Sequence, residues 1–291
     1  MRKLVILFFS ISSILIAVFL ENEKEPQHSA ALFIDSKNIN QTEFFELGKS
    51  IREKFSTSLP PGNYYWTQVG ITSHHLPVAL DFISDFYKYF LNSDGPRETF
   101  IILGPDHLEK CSSLVSLINN PYQTPFGEAE IDMEVAGRLL ESGVFLDEKC
   151  FLGEHSVAVQ AIFIKYLFPN AKIVPLLLSS QISDEAIENI AGVLSEYKDK
   201  ISVIASVDFS HYHSYDVALK IDSISEEMIE NLNISSLGLD YVDSPPSVKL
   251  AVLMAKKNNS NRGIIIGKAN SFDFTGEKEN TTGYINAVFA R

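Results

Sequence analysis

Short apolar runs alternate with helical patterns along this chain, and this alternation limits the fold more than any other feature of the sequence. Strands are predicted at residues 31–34, 67–72, 99–103, 172–178, 201–206, 263–268 and 284–289. Helices are predicted at residues 42–55, 78–91, 131–142, 156–168, 184–197, 215–231 and 248–257. Such an alternation is typical of a mostly parallel or mixed sheet with helices on both faces. We therefore expect a single α/β domain that spans residues 30–291.

The first twenty residues differ in composition from the rest of the chain. Residues 4–20 are apolar apart from three serines, Arg2 and Lys3 precede them, and Glu21 ends the run. A helix of this length rises roughly 25 Å, close to the thickness of a bilayer core. We expect an uncleaved signal-anchor at residues 1–20 and a polar spacer at 21–29, with the domain outside the cytoplasm. The alternative is a cleaved signal peptide, after which the domain would be secreted.

The net charge of −13 bears on the partners of the protein. A body this acidic repels phosphate backbones, and no cluster of lysine and arginine offsets the repulsion. Nucleic acid is therefore not an expected partner, and the membrane is expected only through the N-terminal helix. A small molecule or a peptide is the expected ligand, without a more specific identity.

The sequence contains two cysteines, Cys111 and Cys150, which lie far apart and in no CxxC motif. A structural disulfide suits an exported domain, and two unpaired thiols in the core suit the pattern equally well. Neither cysteine is expected to be catalytic by itself.

Histidines follow the apolar runs instead of being scattered over polar segments. His74 and His75 follow the second predicted strand, His107 follows the third, and His211 follows the fifth. Ligands bind beyond the carboxyl ends of the strands in parallel sheets, so these strand ends can converge on one point. Imidazole nitrogens bind transition metals. The pattern therefore indicates a metal site, although a single histidine at a strand end is more often a structural or surface residue.

Five short segments occur in an order that matches a known family. They are Ser73-His74-His75-Leu76, Leu103-Gly104-Pro105-Asp106-His107, Thr124-Pro125-Phe126-Gly127, Glu154-His155-Ser156 and Ser206-Val207-Asp208-Phe209-Ser210-His211. Together they resemble the MEMO family, whose bacterial and archaeal branch is called AmmeMemoRadiSam system protein B. The resemblance extends from about Val69 to the C-terminus. It implies the fold of the class III extradiol (LigB-type) dioxygenases, with a metal pocket at the strand ends.

The resemblance also implies the metal ligands. In MEMO-type proteins the histidine after the first strand and the histidine of the Gly-Pro-x-His segment bind the metal, which implies His74 and His107 here. His75 is expected to be a further pocket residue, but adjacent strand residues point to opposite faces, so only one of the pair should enter the pocket. The third ligand in animal members is a cysteine, and the alignment places Asp243 there. The alternative role of Asp243 is to begin a turn or cap a helix.

Catalytic residues follow from the same resemblance. Asp208 and His211 match the Ser-x-Asp-Phe-Ser-His segment, which makes His211 the expected proton-transfer group and Asp208 its orienting partner. Glu154 and His155 match the family's Glu-His-Ser segment, so we expect His155 to be catalytic and Glu154 to line the pocket. The alternative role of Glu154 is to cap the helix that begins near His155. This chain has Ala158 where the family usually has a glutamate.

An aspartate in place of the cysteine ligand changes the expected metal. Thiolate favours copper(I), whereas two imidazoles and one carboxylate suit non-haem iron(II) and leave coordination positions open. A divalent transition metal, iron(II) in preference to copper, is therefore the expected cofactor. The expected function is that of a metal-dependent redox enzyme, such as a dioxygenase, on an unidentified small substrate. The alternatives are a non-catalytic module that binds a ligand or peptide in the same pocket, and metal-assisted hydrolysis with His211 as the base.

Overall fold

The computed structural model describes residues 41–56 and 65–290, which form one α/β domain. Its helices are α1 (Gln41–Phe55), α2 (Leu80–Asn92), α3 (Met133–Glu141), α4 (Ser156–Leu167), α5 (Asp184–Ser195), α6 (Tyr215–Glu230), α7 (Pro245–Lys257) and α8 (Ser271–Thr275). Its strands are β1 (Val69–Thr72), β2 (Thr99–Pro105), β3 (Val115–Leu117), β4 (Tyr122–Thr124), β5 (Gly127–Ala129), β6 (Phe145–Leu146), β7 (Lys172–Leu178), β8 (Ile201–Ser206), β9 (Phe209–His213), β10 (Arg262–Asn270) and β11 (Thr281–Ala290). A short 3-10 helix, Glu148–Phe151, precedes α4.

Nine of the described strands form one mixed sheet. The order across it is β10-β11-β1-β8-β2-β7-β3-β6, and β9 pairs with β11. The four central strands, β1, β8, β2 and β7, run parallel to one another. Their carboxyl ends therefore lie along one edge of the sheet, called the carboxyl edge below, and their starts lie along the amino edge. The strands β4 and β5 pair separately as an antiparallel ribbon.

The core lies on both faces of the central strands. Every residue of β2 and β8 is buried, and successive side chains of a strand point to opposite faces, so both faces are covered. Helix α4 packs against β2 and is buried from Ser156 to Ile164. Helix α5 is amphipathic instead, and it buries the stripe formed by Ile187, Ile190 and Leu194.

The structure confirms an α/β domain with a mixed central sheet and helices. The strands β7 and β8 coincide with the strands predicted at 172–178 and 201–206. The strands β3, β4, β5 and β6 have only two or three residues each. They were not predicted, because an alternation of apolar and polar residues cannot be recognised over so short a stretch.

Helix boundaries differ from the predictions where a cap or a proline decides them. The helix predicted at 131–142 begins later, at Met133, because Asp132 Oδ1 accepts hydrogen bonds from the backbone N–H groups of Glu134 and Val135. The helix predicted at 248–257 begins earlier, at Pro245, since the first turn of a helix accepts proline.

The N-terminal predictions lie outside the described residues. They are the signal-anchor at 1–20, the spacer at 21–29 and the strand at 31–34. Among the described residues, no helix combines the length and the apolar composition that are needed to cross a bilayer.

Candidate metal centre

Three neighbouring strands deliver side chains to one place at the carboxyl edge. His74 follows the end of β1, Asp208 follows the end of β8, and His107 follows the end of β2. Asp243 comes from the segment before α7, and its backbone N–H donates a hydrogen bond to the carbonyl oxygen of Asp208 (3.0 Å). The parallel strands therefore bring together residues that lie far apart in the sequence.

Imidazole rings and one carboxylate converge at this edge. Asp243 Oδ2 lies 3.3 Å from His74 Nε2 and 3.4 Å from His107 Nε2. The ring centre of His155, just before α4, lies 5.0 Å from that of His74 and 4.9 Å from that of His107. Each of these three histidines offers a nitrogen atom, and the three nitrogens lie within 4.8 Å of one another. We call His74, His107, His155 and Asp243 the His–Asp cluster.

Glu154 connects His107 to the start of α4. Its buried carboxylate accepts hydrogen bonds from the backbone N–H of His107 (3.0 Å), from His107 Nδ1 (3.0 Å) and from the backbone N–H of Ser156 (2.8 Å). Gly104 allows β2 to approach this helix, since a Cβ there would stand 2.4 Å from Ser156 Oγ. An ionised carboxylate only accepts hydrogen bonds, so Nδ1 of His107 carries a proton. Glu154 thus accepts the first backbone N–H of α4 and also directs Nε2 of His107 towards Asp243.

Asp208 ties the ends of β1 and β8 to Asp243. Its Oδ1 accepts hydrogen bonds from Ser73 Oγ (2.5 Å) and from the backbone N–H of His74 (3.3 Å). Its backbone N–H donates to Asp243 Oδ2 (3.2 Å). Burial raises the pKa of Asp208, but the nearby His74 and the hydrogen bond from Ser73 outweigh it and lower this pKa. Asp208 is therefore an ionised residue that orients the backbone of its neighbours.

The histidines of the cluster differ in charge. Burial lowers the pKa of His107, but hydrogen bonds to Asp243 and Glu154 outweigh it and raise the pKa to about 10. Burial raises the pKa of Glu154, but its bonds with His107 and Ser156 bring it down to about 2. Burial and the neighbouring His74 lower the pKa of His155 to about 4. His107 is therefore protonated towards Asp243, where a metal ion would displace the proton, and His155 is neutral.

The donor atoms fit a transition-metal ion. Nitrogen and oxygen ligands bound at about 2.1 Å to one ion stand roughly 3.0 to 3.4 Å apart, close to the separations of Asp243 Oδ2 from His74 and His107. The second oxygen of Asp243, Oδ1, is buried and has no hydrogen-bond partner. At metal sites, the ring nitrogen of a histidine that does not bind the metal often donates a hydrogen bond to a carboxylate, as His107 Nδ1 does to Glu154.

Two of the predicted site residues lie apart from the cluster. His75 turns away from His74, and its Nδ1 lies 2.6 Å from the hydroxyl of Tyr284. His211 lies within β9, half-buried, and is close enough to Asp208 and His75 to affect their pKa values. Within the described ranges, His211 makes no hydrogen bond or ion pair with the cluster. The structure thus brings together His74, His107, His155, Asp208, Glu154 and Asp243, whereas His75 contacts Tyr284 and His211 lies on β9.

Cys111 and Cys150 form a disulfide, which decides between the two alternatives that the sequence left open. The bridge joins the loop that follows His107 to the 3-10 helix that precedes Glu154. Both segments that hold this side of the cluster are therefore covalently linked.

Sequence reasoning missed the buried polar residues that support the histidines. Ser73 bonds to Asp208, and Gln160 bonds to the carbonyl oxygen of Ser73. Gln160 carried a recognisable signal, because it is the one polar residue in the apolar stretch 157–164. A polar side chain that is buried in an apolar helix needs a hydrogen-bond partner.

A cavity of about 480 Å³ opens beside the cluster, with His107 and Asp243 in its wall. Hydroxyl groups of Ser112, Ser113 and Ser179 contribute polar surface, and no lysine or arginine lines it among the described residues. The cavity is large enough for a small organic molecule.

Fold and site together define an α/β protein with a candidate histidine–carboxylate metal centre at the carboxyl edge of its sheet. A family profile described as Memo-like protein matches residues 46–288. A MEMO1 family protein of Sulfurisphaera tokodaii is 36% identical over 215 residues, which cover 69% of this chain and 75% of that protein. One from Saccharolobus solfataricus is 34% identical over 213 residues, with the same coverage. This chain therefore belongs to the MEMO family.

One crystal structure also overlaps with the chain. It is that of an uncharacterized protein from Escherichia coli K12, and the overlap covers 74% of this chain and 98% of that one. The TM-score is 0.42 and the identity 13%. These values are too low to support a statement about function.

Proposed function

We propose that the protein binds a divalent transition metal through His74, His107 and Asp243 and acts as an oxidoreductase on a small substrate. The observation that carries this proposal is the position of one Asp243 oxygen within 3.4 Å of Nε2 atoms from two strand ends. The unpartnered second oxygen of Asp243 supports it, as does membership of the MEMO family.

Iron(II) is the metal that this donor set favours over copper. Two imidazoles and one carboxylate form the facial triad of non-haem iron(II) proteins, whereas copper(I) prefers sulfur ligands. Both cysteines of the chain are engaged in the disulfide, so neither supplies a thiolate. A bound iron(II) ion would supply open coordination positions and one-electron redox chemistry.

His155 is the residue of the cluster best suited to accept a proton from a substrate. Its ring lies beside that of His107, with the planes 10° apart. Its lowered pKa keeps it neutral near pH 7, so it has a free nitrogen lone pair. In this arrangement His155 serves as a general base or as a further metal ligand. Iron content of a His155→Ala variant separates the two roles.

His211, which lies on β9, is assigned a second proton-transfer role. Asp208 holds the backbone of His74 and lies close enough to His211 for their charges to interact. His75 is close enough to His211 for their charges to interact, and its 2.6 Å contact with the hydroxyl of Tyr284 fixes the ring of His75.

The second candidate function is a non-catalytic module that binds a ligand or a peptide. Exposed leucines at and near the mouth of the cavity favour it, since Leu108, Leu114 and Leu239 are 43%, 47% and 63% exposed. Apolar side chains grouped beside a polar cleft are typical of a surface that binds another molecule.

Metal analysis and oxygen uptake test the proposal together. The full chain, loaded with iron(II) without oxygen, should hold one iron ion, and His74→Ala should lose it. Oxygen consumption with catechol-like compounds should then require both iron and His74. Iron binding without any turnover would favour the non-catalytic module. Stoichiometric copper without iron would contradict the assignment of the metal.

We further propose that the domain lies outside the cytoplasm. The apolar run at residues 4–20, preceded by two basic residues, supports export with or without cleavage. The disulfide supports it independently, because such bonds persist mainly in oxidising compartments. Fractionation of cells that express the full chain would test this, and a soluble cytoplasmic protein with free thiols would contradict it.

A further inference from the structure

A chain of buried hydrogen bonds leads from α2 through α4 to His74. Tyr87 Oη donates to Gln160 Oε1 (2.9 Å), and burial keeps this hydroxyl protonated by raising its pKa. The carbonyl oxygen of Ser73 can only accept a hydrogen bond, so the amide nitrogen of Gln160 faces Ser73 and the amide oxygen faces Tyr87. Gln160 Nε2 donates to the carbonyl oxygen of Ser73 (2.9 Å) and to Ser206 Oγ (2.8 Å). All of these side chains are fully buried.

Ser206 has one hydroxyl proton, and its direction is determined. The hydroxyl donates to the carbonyl oxygen of Ser156 (2.6 Å), which can only accept. It also accepts from Gln160. Its remaining lone pair faces His74 Nδ1 at 3.5 Å, the long end of hydrogen-bond distances. In this contact Ser206 can only accept, so the hydrogen bond is made when Nδ1 of His74 carries a proton.

We propose that Gln160 and Ser206 are positioning residues that hold His74 with its proton on Nδ1, which leaves Nε2 available to the metal. The consequence for the metal rests on the proposed function, whereas the proton on Nδ1 is inferred from the hydrogen bonds of Ser206. Nε2 faces Asp243 Oδ2 at 3.3 Å, the position in which a metal ion would take the place of a proton. His107 reaches the same state by a different contact, because Glu154 accepts from its Nδ1. Both histidines thus direct Nε2 towards Asp243, one through a hydroxyl group and the other through a carboxylate.

Burial of these polar groups costs free energy unless each of them forms hydrogen bonds inside the protein. The helix around Gln160 is otherwise apolar and buried, and an apolar side chain at this position would need no partner. A buried polar network is tolerated only when its members are satisfied, and it then restricts their orientation. Here both the oxygen and the nitrogen of the Gln160 amide have hydrogen-bond partners. The network ends at His74, a histidine of the cluster.

Nitrogen NMR of the full chain, labelled with ¹⁵N-histidine, tests the inference directly. Long-range ¹H–¹⁵N spectra show which ring nitrogen carries the proton, and a His74→Gln variant assigns the signals. With Zn²⁺ as the probe, we expect the proton on Nδ1 and the metal on Nε2 of His74. The reverse pattern overturns the inference. If Zn²⁺ does not bind, the proposed function fails, and the metal-free spectrum still shows whether Nδ1 of His74 carries a proton.

Substitutions test the effect on binding. Ser206→Ala should weaken Zn²⁺ binding about 10- to 100-fold, as loss of such a supporting contact does at other metal sites, and Ser206→Thr should restore it by keeping the hydroxyl. Ser202→Ala, on the same strand but bonded to Arg97 instead, should bind Zn²⁺ as the unmodified chain does. Unchanged affinity of folded Ser206→Ala overturns the inference. If that variant does not fold, the NMR spectrum of the unmodified chain, which shows the protonated ring nitrogen of His74, tests the inference instead.

Discussion

The two edges of the central sheet each carry a cavity, and they differ in how their charged groups are partnered. The amino-edge cavity has a volume of about 590 Å³ and the carboxyl-edge cavity about 480 Å³. At the amino edge, Arg97 donates to backbone carbonyls of Thr67, Phe90 and Ser93. Asp132 there caps α3. Both charged side chains therefore have hydrogen-bond partners within the protein.

The carboxyl edge shows the opposite situation. Asp243 Oδ1 has no partner, and Nε2 atoms of two histidines face the other oxygen of the same carboxylate. The larger cavity is therefore not the better candidate. The convergence of two imidazoles on a carboxylate with an unpartnered oxygen locates the site, whereas the volume of a cavity does not.

Asp243→Asn should have the largest effect on the carboxyl edge. The amide removes the charge between the two imidazoles, so we expect iron(II) or Zn²⁺ affinity to fall at least about 100-fold, measured by anaerobic calorimetry. Glu109→Gln is the matched control, because Glu109 lines the same cavity from an exposed position, and its affinity should not change. Full affinity in Asp243→Asn would remove Asp243 from the ligands.

Removal of the disulfide should lower stability and loosen the same edge. The bridge links residues 39 positions apart, and closure of such a loop is worth about 4 kcal/mol of unfolding free energy. Cys111→Ser combined with Cys150→Ala should therefore show that loss in denaturant titrations, together with weaker metal binding. The unmodified chain in a thiol reductant is the comparison and should behave in the same way. A loss below about 1 kcal/mol would show that the bridge does not support this edge.

Glu154→Gln should weaken metal binding without destroying the ligand set. The amide no longer attracts the proton on His107 Nδ1 as a carboxylate does, so we expect about a 10- to 100-fold lower metal affinity. Glu98→Gln, at the wall of the amino-edge cavity, is the control and should leave metal affinity as it is. Equal effects of the two changes would mean that total charge, and not the contact with His107, governs binding.

Asp222 tests whether an unpartnered carboxylate oxygen by itself marks a metal site. Its Oδ1 also lacks a partner, but burial, together with the nearby Glu226, raises its pKa to about 7 from an ordinary value of 3.8. The folded state thus holds this proton more tightly than the unfolded chain. The stabilisation is complete below about pH 4 and is lost as the pH rises through 7.

We expect the unfolding free energy to fall by about 2 kcal/mol between pH 5.5 and pH 8 because of Asp222. Asp222→Asn should remove this part of the pH dependence in denaturant titrations at several pH values. Glu227→Gln, exposed on the same helix α6, should keep it. A metal-dependent change in stability that disappears with Asp222→Asn would instead identify Asp222 as a ligand.

Asp132→Ala should have the smallest effect, and this effect should be confined to the amino edge. Loss of the cap on α3 costs about 1 kcal/mol of unfolding free energy, which a thermal or denaturant titration resolves. Metal affinity should stay unchanged, because the cap lies at the opposite edge of the sheet. Reduced metal affinity in this variant would mean that the two edges are energetically coupled.

The order of helices and strands was largely predictable from the sequence. The strands β7 and β8 were predicted with the observed bounds, because a short, mainly apolar segment rich in isoleucine, valine and leucine is a local signal. The strand β9 was not predicted, since its residues Phe209–His213 contain two histidines and lack a continuous apolar run. It forms because β11 offers it a partner.

The sequence by itself determined the alternation of strands and helices, the strand ends at which histidines lie, and the family resemblance. Only the tertiary structure decided that His155 joins His74 and His107, that His75 contacts Tyr284 instead, and that the two cysteines pair. The physical reason is that the hydrophobic periodicity of a helix or strand depends only on residues that are close together in the sequence. Contacts such as that of Asp243 with His74 instead depend on which strands lie side by side, and the packing of the whole sheet sets that order.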